Sequence, residues 1–120
     1  MYFMQVVNRR VLEGGRRMAH DFAAQRQGTV DSFALMGPGV PARAVVAFQF
    51  VAEEMAPDWA RATAALVAAG FSVRRDEAEG VLEALVGPIA VSVEEVWRWE
   101  KAATEVLLRW EFWPDGWEVE

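Results

Sequence analysis

Val45-Val46-Ala47-Phe48-Gln49-Phe50-Val51 is a run of β-branched and aromatic residues with a single polar member, and it reads as a buried strand. Downstream, Pro57 suits the first turn of a helix. Trp59, Ala60, Thr63, Leu66 and Val67 follow at helical spacing, and Gly70 stands where a C-terminal cap glycine belongs. Phe71-Ser72-Val73-Arg74 alternates as a half-exposed strand, and Asp76-Glu77-Ala78-Glu79-Gly80 supplies a turn. Val81 to Val86 returns as a third strand, which Gly87-Pro88 bends or bulges before Ile89-Ala90-Val91.

Ser92-Val93-Glu94-Glu95 is a capping box, in which Ser92 and Glu95 satisfy backbone amides at a helix start. That helix runs to about Leu108, with Val93, Val96, Trp97, Ala103 and Leu107 on one stripe and Trp99, Ala102, Val106 and Trp110 on another. Glu111-Phe112-Trp113 is expected as a short edge strand and Pro114-Asp115-Gly116 as a turn. The order β-α-β-β-α-β is the split βαβ arrangement, so the expected fold is α+β, a ferredoxin-like sandwich over residues 44–120.

Upstream, residues 1–43 are expected to form an N-terminal helical arm and loop. Met4, Val7, Val11, Met18 and Phe22 recur at near-heptad spacing, so residues 4–27 read as helical, interrupted at Gly14-Gly15 and stopped at Gly28. Gly28, Gly37, Pro38, Gly39 and Pro41 mark residues 28–43 as a connecting loop. Met4 and Met18 offer alternative starts to Met1.

The 120 residues are 53% hydrophobic and 25% charged, ordinary values for one folded domain. The chain lacks cysteine, which removes disulfides, thiolate metal sites and a cysteine nucleophile, and a single histidine, His20, rules out a multi-histidine metal cage. No metal and no cofactor are expected. The net charge of −6 argues against direct nucleic-acid binding. It is unevenly spread: residues 1–43 carry +3 and residues 44–120 carry −9, a polarity that suits either a basic partner or a solvated face. With no long apolar window and no signal-peptide pattern, cytoplasmic residence and no membrane contact are the expectation.

Catalytic constellations are weak. Glu53-Glu54 and Glu94-Glu95 are neighbours that do not face each other, and the second pair is explained by helix capping. His20-Asp21 lies in a helical pattern where neighbours diverge by about 100° and has no nucleophile motif beside it. The glycines fit neither a dinucleotide-binding nor a phosphate-loop pattern. The arginines of the arm lack interleaved aromatic platforms for nucleic acid. The chain therefore reads as a non-enzyme.

Tryptophan is the least ordinary feature. Six occur, and Trp97, Trp99, Trp110, Trp113 and Trp117 fall in the last 24 residues. Trp97 and Trp99 point about 200° apart on a helix, so one is expected in the core and the other exposed or covered. Exposed indoles concentrate at protein interfaces. Asp115-Gly116 supplies a tight turn that leaves Trp117 free to fold back onto the sheet or the last helix.

The strand–helix segment from Val45 through Ala69, then Gly70-Phe71-Ser72-Val73, resembles the first half of the ribonuclease E inhibitor protein B (RraB) family. Val91-Ser92-Val93-Glu94-Glu95-Val96, leading on to Asp115-Gly116-Trp117-Glu118, is similar to that family's ending, an aromatic followed by Asp-Gly-Trp. The similarity covers residues 44–119; Trp113-Pro114, a basic arm and a longer opening helix depart from the pattern. It implies a small acidic cytoplasmic protein of ferredoxin-like fold that restrains an mRNA-degrading endoribonuclease by contact, without catalysis.

The expected function is thus a regulatory interaction protein with a protein partner, a ribonuclease in its sharpest form. The expected partner contacts are Trp99, Trp113, Asp115 and Trp117, with Asp76, Glu77 and Glu79 of the acidic turn. Two alternatives stay open. One is a cofactor-free small enzyme or ligand-binding protein of the dimeric α+β type, with Phe48, Phe50, Phe71 and the tryptophans lining a pocket. The other is an acidic immunity-type protein. A homo-oligomer also remains open.

Overall fold

The structure is a computed structural model that describes residues 2–4, 12–13, 16–17 and 19–120. The elements are β1 (Tyr2–Met4), β2 (Leu12–Glu13), β3 (Arg16–Arg17), α1 (Phe22–Leu35), β4 (Arg43–Ala52), α2 (Trp59–Ala68), β5 (Ser72–Asp76), β6 (Val81–Ala90), α3 (Val93–Leu107) and β7 (Phe112–Val119), with a 3₁₀ turn over Leu108–Trp110. One sheet has the order β1-β7-β4-β6-β5 with every neighbouring pair antiparallel, and β2 and β3 pair with each other. The chain is therefore α+β, with helices packed on an antiparallel sheet.

Burial on β4 alternates as its sequence implies. Val46, Phe48 and Phe50 lie in the core, facing Val86, Ala84 and Leu82 on β6 and Val119, Trp117 and Pro114 on β7. Against them pack Ala62 and Leu66 of α2 and Val96, Ala103 and Leu107 of α3. Each large apolar side chain removed from water contributes roughly 1.5–3 kcal/mol.

The ends of α2 show how local chemistry sets element boundaries. Asp58 caps the start, its carboxylate accepting from the Arg61 amide at 3.0 Å. Pro57 accordingly sits one residue before the cap instead of inside the first turn. At the other end Gly70, with φ +99°, allows its own amide to reach the Val67 carbonyl and the Phe71 amide to reach the Leu66 carbonyl. Ser92 caps α3 by accepting from the Glu95 amide at 3.3 Å, as half of the expected capping box. The bulge expected at Gly87-Pro88 is present there: these two residues of β6 stand opposite the single Val45 between the pairs Ala44–Ile89 and Val46–Val86. A Cβ on Gly87 would stand 2.7 Å from the Ala44 carbonyl oxygen, so only glycine fits.

Three expectations are corrected. The described parts of residues 4–18 are strand, and helix starts only at Phe22, behind the Asp21 cap. Gly28 does not stop α1, which continues to Leu35. The roughly 1 kcal/mol that a mid-helix glycine costs is offset by contacts that Gln25, Thr29 and Ser32 make with the body. The loop shrinks correspondingly to residues 36–42. Pro114-Asp115-Gly116 is not a turn: it runs inside β7, where a register shift opposite Gln49 and Phe50 leaves Asp115 as the extra residue and accommodates the proline. The chain reverses earlier, at Glu111, whose φ is +65°.

Candidate functional site

The helices α2 and α3 lie on the face of the sheet that carries Val46, Phe48 and Phe50. The alternate residues of the strands define the opposite face, free of helix among the described residues. Cross-strand register arranges this face in rows. Ser72, Leu85, Ala47 and Glu118 form one row, Arg74, Glu83, Gln49 and Gly116 the next, and Asp76, Val81, Val51 and Trp113 the third.

Arg74 organises the face electrostatically. Its Nε donates to Glu83 Oε1 at 2.7 Å, and its two terminal nitrogens donate to Glu120 at 3.0 and 3.3 Å. Glu83 also accepts from Gln49 Nε2 at 3.2 Å. The guanidinium thus ties the edge strand β5 to the end of β7, with β6 and β4 between them in the sheet. The Arg74 hydrogen bond holds the Glu120 carboxyl below the ordinary range, whereas burial, then the neighbouring Glu120, pushes Glu118 up. One arginine therefore faces Glu83, Glu118 and Glu120, and the face keeps an acidic excess.

A second polar cluster lies inside. Glu100 of α3, only 2% exposed, accepts from the Thr29 hydroxyl and, at 3.3 Å, from Gln25 Nε2. Gln25 Nε2 also donates to Thr104 Oγ1 at 2.9 Å, and Trp117 Nε1 donates to Thr29 Oγ1 at 3.3 Å. His20 Nε2 stands 2.7 Å from Gln25 Oε1. Burial pushes the Glu100 carboxyl up to about 7, against the pull of the Thr29 and Gln25 hydrogen bonds.

The residues expected as partner contacts are scattered by the fold. Trp117 is fully buried in the core, and Trp113 is 6% exposed, its indole donating to Glu53 at 3.2 Å with the His20 ring 5.9 Å away. Neither indole lies open on the surface: Phe33 and Thr29 of α1 pack against Trp117, Glu53 and His20 stand against Trp113, and their strand lies between β4 and β1 instead of at the expected edge. Neither Trp97 nor Trp99 is fully buried. The Trp99 ring packs edge-on to Phe71 at 5.5 Å and donates to Glu95 at 3.3 Å, with the Arg98 guanidinium 4.8 Å above it. Asp115 is half-buried at the β7 bulge. Asp76, Glu77 and Glu79 share the exposed β5–β6 turn, where Asp76 accepts from the Glu79 amide and Glu77 pairs with Arg75. Asp76 and Trp113 end the same row, about 14 Å apart across three strand spacings.

Comparisons with protein-family models, curated proteins and solved structures found no match to this chain. The site is accordingly read from its own chemistry. Among the described residues no group of three or more His, Cys, Asp or Glu side chains could hold a metal ion, and no helix is long and apolar enough to cross a membrane.

Sequence reasoning missed the Glu100 cluster. A signal was present: Glu100 and Thr104 fall on the same stripe as Val96, Ala103 and Leu107, at positions that would otherwise be apolar. An acid in that register marks a buried carboxyl that needs partners.

Proposed function

We propose that this chain is a non-catalytic regulatory protein that acts by binding a basic segment of a protein partner on the helix-free face of its sheet. The observation that supports this reading is the arrangement of Glu83, Glu118 and Glu120 around Arg74 on that face, the one cation placed there among the described residues. Rows of partly buried Val51, Val81 and Leu85 flank the charges and offer apolar contact. Acidic complementarity of this kind steers an arginine-rich segment and sets its register. The sharpest form is restraint of an mRNA-degrading endoribonuclease, in keeping with the similarity to the RraB family noted above. On this reading β4, β5, β6 and β7 with α2 and α3 form a ferredoxin-like βαββαβ sandwich, and the protein is cytoplasmic.

A depression of about 240 Å³ beside this face is lined by Val45, Gly70, Ser72, Leu85, Val86 and Gly87 and offers a ligand no ionisable side chain.

The test is titration of the full chain with a synthetic arginine-rich peptide, followed by an RNA-cleavage assay with purified endoribonuclease. Micromolar or tighter binding that weakens with salt, lost in the double variant Glu118→Lys, Glu120→Lys, is expected, with slowed cleavage in the assay. Absence of binding at low salt, or binding indifferent to the charge reversal, overturns the reading.

A further inference from the structure

The seam between α1 and the body is polar. The buried residues of α1 are Gln25, Thr29 and Ser32, placed on one face by their i, i+4, i+7 spacing. The surface that they meet carries Glu100 and Thr104 of α3 and the indole nitrogen of Trp117. Apolar support comes from Phe33, whose ring centroid lies 5.5 Å from that of Trp117, and from Met36. A helix seated on hydrogen bonds gains little from leaving water, so its attachment depends on how well the buried groups are satisfied.

We infer that α1 is a clasp closed over the buried carboxyl of Glu100 and loosened when that carboxyl ionises. Among the described residues, the groups facing it carry no compensating cation. From α1 they are Gln25 and Thr29, neither of which titrates, and His20 acts only through the Gln25 amide. From β7, Trp117 approaches it through Thr29. Asp21, Arg26 and Asp31 at α1, like Lys101 and Glu105 on α3, are exposed. Asp115 is half-buried at the bulge, and Glu118 belongs to the opposite face of the sheet.

Two neutral donors do not make up for the lost hydration of a carboxylate enclosed in this way, so its charged form is disfavoured, and lifting α1 returns it to water. The open form therefore holds Glu100 at its ordinary value of 4.5, while the closed form holds it at about 7. Opening releases a proton, so the open fraction grows as pH rises, up to the closed-state value and no further. A loosened clasp uncovers the Trp117 indole and the Glu100–Thr104 stripe of α3.

Hydrogen exchange of the full chain tests the clasp. After correction for intrinsic exchange rates, the amides of residues 25–35 should exchange about tenfold faster at pH 8.5 than at pH 6. Those of residues 46–50 in β4 should not change. Glu100→Gln should remove the pH dependence, and His20→Asn should retain it. A flat profile for α1, parallel changes in α1 and β4, or a slope that survives Glu100→Gln overturns the inference. Should Glu100→Gln fail to fold, the carbon-13 carboxyl resonance of Glu100 in the unmodified chain decides: a midpoint near 7 supports the clasp, and one near 4.5 overturns it.

Discussion

Trp117 and Thr29, 88 positions apart in the chain, are joined by a 3.3 Å hydrogen bond from the indole nitrogen to the hydroxyl. The same hydroxyl passes its own proton toward Glu100. One threonine thus satisfies a strand and a helix at once, and it does so from a third element, α1.

Replacing it tests that arrangement. Thr29→Val keeps the shape but leaves a buried indole N–H and a buried carboxyl each short of a partner. The expected loss is roughly 1–3 kcal/mol in urea unfolding, with Thr29→Ser losing much less.

Stability should depend on pH through Glu100. Its folded value is raised to about 7 from 4.5, so the proton is bound more tightly in the folded chain. For an acid raised in this direction, stability is greatest below the unfolded value and declines as pH rises toward 7. The 2.5-unit difference corresponds to about 3 kcal/mol between pH 4 and pH 8. Comparing Glu100→Gln with the parent chain across that range isolates the effect, and the variant should show a flatter profile.

Gly87 permits no side chain. Its φ of +133° and the 2.7 Å approach of a Cβ to the Ala44 carbonyl oxygen predict that Gly87→Ala loses at least roughly 1–3 kcal/mol in thermal or urea unfolding. Gly37, with nothing within 4 Å of such a Cβ, should accept alanine with a change near zero.

Arg74 separates stability from binding. Its side chain is 50% exposed, so its ion pairs with Glu83 and Glu120 contribute at most about 1 kcal/mol, and less in salt. Arg74→Ala should therefore barely shift the unfolding midpoint. Removing this cation, the one that the described residues place on the face, should instead tighten binding of an arginine-rich peptide several-fold, measured by calorimetry.

The central strands and both later helices were legible because their signals are local. The Val45–Val51 run, the Ser92 cap and the Gly70 turn each follow from a few adjacent residues, whereas the Asp58 cap moved the start of α2 past the expected Pro57. The first helix was displaced because its buried face is Gln25, Thr29 and Ser32, which no apolar periodicity reveals; its inward side is defined only by Glu100, far along the chain. β7 was cut short because Pro114 and Gly116 carry turn propensity, and only pairing with β4, bulged at Asp115, overrides it. The acidic face was visible as an excess of charge after residue 44, but its rows are a property of strand register and not of composition.

The outer strand β5 carries Arg74 and Arg75 side by side at the rim of the sheet. A second molecule aligning antiparallel about that centre would set guanidinium beside guanidinium, and the repulsion opposes edge-to-edge growth into fibrils. Arg74, which ties β5 to Glu83 of β6 and to Glu120 after β7, thus stands with Arg75 on an outer strand whose charges work against edge-to-edge pairing of copies.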